Sequence, residues 1–220
     1  MKKNLQLLSI LLLAVFGLST SFAQTVEELL KQGDQFVEDY QNQKALDTYL
    51  KADKISPNNW EVLWRISRAH VDLGEKMPDK TDAQKDEQEK VYQKAFEYAD
   101  KSVKNGSGQS ITYVRRAIAN GRIALFQGVF SAVGTVNDVK EDCEKAIQLG
   151  NGGNYVQALA HYVLGRTHSK VCEKSYLVRL PIGLGWGDTE EAIRLLEIAN
   201  KLKPNFRMFM FELAKAYVEE

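Results

Sequence analysis

The chain has 220 residues, 44% of them hydrophobic and 26% charged, and its 29 basic and 29 acidic side chains cancel to a formal charge of zero. That composition belongs to an ordinary globular chain with one main core. It excludes the strong basic field that nucleic-acid binding uses, so no nucleic-acid partner is expected.

The first residues read as an export signal. Lys2 and Lys3 give a charged start, Leu7 to Leu18 is an apolar run, and Ser21-Phe22-Ala23 forms a small-x-small cleavage site before Gln24. The run is shorter than the roughly 20 apolar residues that span a bilayer. Residues 1–23 are therefore assigned as a signal peptide and 24–220 as the folded domain, exported to the periplasm or secreted, with no transmembrane segment in the mature chain. Cys143 and Cys172 both lie in apolar-periodic helical patterns. They are expected to be buried core residues, although a bridge is chemically open on the oxidising side of a membrane.

From Val26 onward the pattern is helical and repetitive. Gly33, Phe36, Ala45, Tyr49, Ala52 and Pro57 follow one another as small, aromatic, small, aromatic, small and proline, the order and spacing of a tetratricopeptide unit. Two antiparallel helices need small residues where they approach, and Pro57 stops the second because it lacks an N–H. The second unit has Leu63, Ile66, Ser67 and His70, then Ala95, Ala99 and Ser102. Between them runs the polar stretch 75–90, read as a loop leading into a charged helix extension. The third has Tyr113, Ala117 and Asn120, then Val139, Cys143 and Ala146. The fourth has His161, Leu164, Gly165 and His168, then Ala192, Leu196, Ala199 and Pro204.

Two of these units carry apolar insertions between their helices. One follows Gly121 and contains Gly128, where the helix is expected to stop, and Val129 to Val133, expected to pack on the neighbouring hairpin. The other runs from Ser175 to Asp188, with Asp188 or Thr189 capping the next helix. A fifth first helix follows in Met210, Leu213, Ala214 and Tyr217. Its run Phe206, Met208, Phe209, Met210, Phe211 is too apolar for a capping end, which raises self-association through that helix, with Phe209 as its test position. The expected fold is all-α, a tetratricopeptide-like α-solenoid of about nine helices in antiparallel pairs with long intra-repeat insertions.

The stretches GRIALFQGVFSAVGTVNDVKEDCEKAIQL (121–149) and AHYVLGRTH (160–168), with the Leu-Pro-Ile-Gly-Leu-Gly insertion after them, resemble the helical domain of the regulator of microtubule dynamics family. The resemblance runs from about Trp60 to Glu220 and includes the positions of the insertions. It implies a helical domain that offers a binding groove. Eukaryotic members are associated with microtubules, mitochondria and membrane contact sites, and one looks like a lipid-binding and lipid-transfer module. An exported chain would meet no microtubules, so the feature expected to carry over is a binding groove.

The residues themselves place such a groove. The fifth positions of the first helices read Leu30, Trp64, Val114, Tyr162 and Phe211. The ninth read Asp34, Arg68, Ile118, Arg166 and Lys215, and the two positions are four apart on one helical face. The candidate groove set is thus Leu30, Trp64, Arg68, Val114, Ile118, Tyr162, Arg166, Phe211 and Lys215, an apolar stripe edged by cations. It suits a protein or peptide partner with apolar anchors and a carboxylate, or alternatively a lipid or other apolar anionic small molecule. No catalytic, cofactor or metal site is expected. His70, His161 and His168 fall at packing positions, and His161 and His168 are seven apart, without the four-residue spacing of a helical metal pair. Gly183, Gly185 and Gly187 lack the strand-to-helix setting of a phosphate loop and are read as a turn.

Overall fold

A computed structural model describes residues 24–128 and 130–219. The assigned signal peptide and Val129 lie outside the described residues. The described chain is helical: α1 (Val26–Glu38), α2 (Asn42–Ile55), α3 (Trp60–Gly74), α4 (Asp82–Asn105), α5 (Ser110–Ala124), α6 (Ala132–Leu149), α7 (Gly153–Cys172), the single turn α8 (Tyr176–Arg179), α9 (Thr189–Leu202) and α10 (Arg207–Glu219). The pairs are α1 with α2, α3 with α4, α5 with α6 and α7 with α9, while α10 packs on α9 and the end of the stack. Among the described residues there are ten helices rather than about nine, because the second insertion contains the turn α8.

Local chemistry sets the helix ends. Thr25 and Glu28 form a reciprocal capping box at α1, and Thr81 with Gln84 forms another at α4. Asn59 caps α3 through Glu61 N, and Asp188 caps α9 through Glu191 N at 2.7 Å. Two second helices end in the same turn, Pro57-Asn58 and Pro204-Asn205. In each the proline cannot continue the helix and the asparagine takes a left-handed φ, 66° and 63°.

Packing between paired helices rests on glycine laid against a ring. A Cβ on Gly33 would stand 2.2 Å from Tyr49 Cε1, so Tyr49 itself occupies the close approach instead of lying beside it. The Tyr49 hydroxyl then donates to Asp34 Oδ1 at 2.6 Å, and Arg65 Nε donates to the same carboxylate at 2.9 Å, tying α1, α2 and α3 together. The second pair repeats the device further along, with Gly74 under the Tyr92 ring. Gln88, in the charged extension of α4, is buried there and donates to Gly74 O at 2.8 Å. Arg116 joins three helices likewise, reaching Asp100 at 2.8 Å and Asp142 at 2.7 Å. Its guanidinium is held well above its ordinary pKa, chiefly by the hydrogen bond to Asp142.

Three expectations are corrected. Phe130 is 76% exposed, so the first insertion does not tuck this side chain against a hairpin. Phe209 is fully buried, stacked on Tyr162 with ring centroids 4.7 Å apart and tilted against Phe206 at 4.5 Å. It is a core residue and cannot serve as a probe of a surface. Cys172 is only half-buried, whereas Cys143 is fully buried among Ala117, Val139, Leu164 and Leu195, and both thiols are free. Met210, Ala214 and Tyr217 are exposed because α10 has no second helix to pack on among the described residues.

Candidate functional site

The first helices α3, α5 and α7 turn one face each toward a common hollow of about 540 Å³. From α3 come Arg68, Val71 and Asp72. From α5 come Arg115, Ile118, Gly121 and Arg122, and from α7 Tyr155, Leu159, Tyr162, Arg166 and Lys170, a stripe at helical spacing. Both insertions complete the wall. The first supplies Leu125, Gln127 and the start of α6 at Ala132, and the second supplies Leu184; Met208 closes the end at α10. The insertions therefore form part of the cavity.

Of the groove residues expected from repeat position, the structure brings together Arg68, Ile118, Tyr162 and Arg166 on this wall. Val114 is fully buried and Trp64 half-buried, both packed in the core cluster that also holds Tyr162. Leu30 borders a separate shallow depression with Asp34, Glu38, Glu61 and Arg65. Phe211 is 68% exposed on α10, and Lys215 sits on the same helix 3.7 Å from Glu173. Position five thus belongs to the core in the first four units, with Tyr162 also reaching the cavity wall, and turns to the surface only at Phe211 on α10.

The electrostatics of the wall are uneven. Arg68 pairs with Asp72 at 3.5 Å, Arg122 with Glu75, and Lys170 with Glu173 at 2.6 Å. Arg166 Nε faces Glu212 Oε1 at 3.2 Å without the alignment of a hydrogen bond. Arg115 differs: it is 7% exposed, no carboxylate is paired with it among the described residues, and its Nε has no hydrogen-bond partner. It lies over the Trp64 ring, 5.5 Å from the centroid. Burial, then the neighbouring Arg68, work against its charge and lower its pKa, and the opposing pull of Tyr155 and Asp72 does not reverse this. An arginine nevertheless stays protonated at neutral pH. The hollow is therefore apolar over most of its wall, with a guanidinium set into it that no carboxylate pairs.

Repeat position did not point to Arg115, which lies one residue past the fifth position of its unit. The signal present in the sequence was a pair of arginines, Arg115-Arg116, in the middle of an otherwise apolar helix. Arg116 is used by Asp100 and Asp142, which leaves Arg115 as the one turned to the cavity. The histidines are engaged elsewhere. His70 stacks on Tyr98, His161 Nδ1 meets Gln157 O at 2.8 Å, and His168 Nδ1 accepts from Asp188 N at 3.2 Å. Among the described residues no group of three or more His, Cys, Asp or Glu side chains is arranged to hold a metal.

Paired antiparallel helices, glycine-on-ring contacts and a concave wall of first helices define a helical-repeat protein of tetratricopeptide type. The solved structures it resembles share that fold. A thermophilic TPR protein of Thermus thermophilus superposes with a TM-score of 0.59 at 13% identity, covering 89% of this chain and 82% of that one. A MamA fragment from Desulfovibrio magneticus gives 0.53 at 15% identity, covering 90% and 87%. Residues 29–220 match the regulator of microtubule dynamics protein 1-3 family, and the chain belongs to that family. The match reaches back through the first repeat, beyond the stretch from Trp60 in which the resemblance was read. Regulator of microtubule dynamics protein 1 of Bos taurus is 24% identical over 186 residues, and that of Mus musculus 23%. These alignments cover 82% of this chain but only 56% and 58% of the relatives, so the chain spans little more than half their length.

Proposed function

We propose that this protein is a non-enzymatic binder of an apolar anionic small molecule, such as a fatty acid or a lipid with an acidic head, held in the cavity between α3, α5 and α7. The observation that carries the reading is Arg115. A buried cation without a hydrogen-bonded carboxylate is costly, and the cost is offset if an anionic head accepts from it while the tail covers the apolar wall. The volume supports a small ligand, since such sites run from roughly 300 to 1,000 Å³. The engagement of all three histidines in packing supports the non-enzymatic part of the reading. The microtubule role in the relatives' name is not part of this proposal.

The test is solvent extraction of the purified protein followed by mass spectrometry, together with titration by a fluorescent long-chain fatty acid. An amphiphile in the extract and saturable binding are expected. Arg115→Met should weaken that binding about tenfold to a hundredfold, the worth of one hydrogen bond to a charged group. An empty extract and no saturable binding would overturn the proposal. A second reading, a peptide with apolar anchors and a free carboxylate, is favoured by the tetratricopeptide-type fold. Under it, carboxylate-terminated peptides would displace the fluorescent acid and their amidated forms would not.

We also infer that the chain is exported and that its mature form begins at Gln24, on the pattern of residues 2–23. N-terminal sequencing of protein from the envelope fraction checks this; a chain retaining Met1 or Lys2 there would refute it.

A further inference from the structure

The two insertions each present apolar side chains to solvent beside residues that line the cavity. In the first, Leu125 is 62% exposed and Phe130 stands between the lining residues Gln127 and Ala132. In the second, Tyr176, Leu177, Val178 and Leu180 are all exposed, Leu177 at 84%, between the lining residues Lys174 and Leu184. Exposed apolar side chains grouped in this way mark interaction surfaces.

The second insertion is built to hold that display. Arg179 Nη1 lies within hydrogen-bond distance of three carbonyls of the loop, those of Leu184 and Gly185 at 3.3 Å and Gly187 at 2.7 Å. Trp186 Nε1 donates to Asn137 Oδ1 on α6 at 2.8 Å, and a Cβ on Gly187 would stand 2.4 Å from Val171. The loop is fastened through its polar groups and its far end, so Leu177 and Val178 are not what keeps it in place.

The charge beside it is positive. Lys170 and Lys174 are exposed, and Lys170, Lys174 and Lys215 all lie within the field of one carboxylate, Glu173, whose pKa they hold below its usual range, with the Lys170 hydrogen bond foremost. The exposed Lys170 and Lys174 outnumber the exposed Glu173 between them, which leaves a positive bias next to the apolar tips. Apolar side chains flanked by lysines match the surface of an anionic bilayer, where the tips enter the headgroup region and the ammonium groups meet lipid phosphates.

We propose that the lip formed by the two insertions docks the protein on anionic membrane surfaces, with the cavity facing the bilayer. Its purpose rests on the reading of the cavity as an amphiphile site, but the docking is measured separately. The experiment is co-sedimentation of residues 24–220, which contain every helix described above, with phosphatidylcholine vesicles with and without phosphatidylglycerol. Binding to the anionic vesicles and little to the neutral ones is expected. The double variant Phe130→Asp with Leu177→Asp should lower binding on the order of tenfold or more. Its thermal midpoint should match the parent, since both side chains are exposed.

In solution without vesicles the same variant should bind the fluorescent fatty acid like the parent. Loss of vesicle binding with the fatty-acid site intact supports docking. Vesicle binding that persists when the fatty-acid site proves absent refutes the cavity reading alone. Equal vesicle binding by parent and variant, or a parent that forms a dimer the variant loses while neither binds vesicles, would overturn the membrane proposal.

Discussion

His168 carries a pH dependence that follows from its surroundings. Burial lowers its pKa below the ordinary value near 6.5, and its Nδ1 must be unprotonated to accept from Asp188 N at the start of α9. The folded state thus binds a proton less readily than the unfolded chain. The stability this gives is complete above about pH 6.5 and is lost as pH falls toward the lowered folded value. The melting temperature should drop between pH 7 and pH 5, and His168→Gln should flatten that slope; identical slopes would refute the assignment. Arg115 makes the opposite kind of residue. Arg115→Met removes a buried charge that no carboxylate balances, so the unliganded protein should melt no lower than the parent while ligand affinity falls. The packing role of His168 was legible from its repeat position. The role of Arg115 was not, because its burial depends on Trp64 and Tyr155 arriving from other helices.

At the scale of the helix, two glycines set a contrast. Gly33 has no room, since a Cβ would meet the Tyr49 ring at 2.2 Å, whereas a Cβ on Gly121 would meet nothing within 4 Å. Gly33→Ala should cost about 1–3 kcal/mol through overpacking, and Gly121→Ala should gain up to about 1 kcal/mol of helix propensity. Thermal melts of the two variants should move in opposite directions, and a shared direction would contradict the packing described. The Gly33, Ala45, Tyr49 spacing made the helix pair readable from sequence, and the glycines after Ala119 were readable as geometry. What periodicity did not convey was which partner each meets: Tyr49 for Gly33, open cavity for Gly121. The insertions were equally visible as interruptions. Their place in the cavity wall depends on Leu125 and Leu184 reaching one hollow from segments far apart in sequence, and no local pattern encodes that.

Across the whole molecule, the end of the stack is closed by Phe209 rather than opened by it. Phe209→Ala should cost about 3–5 kcal/mol, the range for a large buried aromatic, while Phe211→Ala should stay within about 0.5 kcal/mol. Denaturant melts that ranked the two the other way would refute the phase of α10. The aromatic run from Phe206 to Phe211 was readable as apolar, but which member turns inward is decided by Tyr162 on α7. Stacked repeats touch chiefly their neighbours, so distant units are joined only through a chain of intermediates. The cavity, however, extends from Arg68 and Val71 on α3 to Met208 on α10. A molecule held there as proposed would brace the second repeat against α10, and its departure would let these parts of the solenoid breathe independently. Occupancy would in this sense be a stiffness control: a ligand bound as proposed would make the braced repeats unfold as one body.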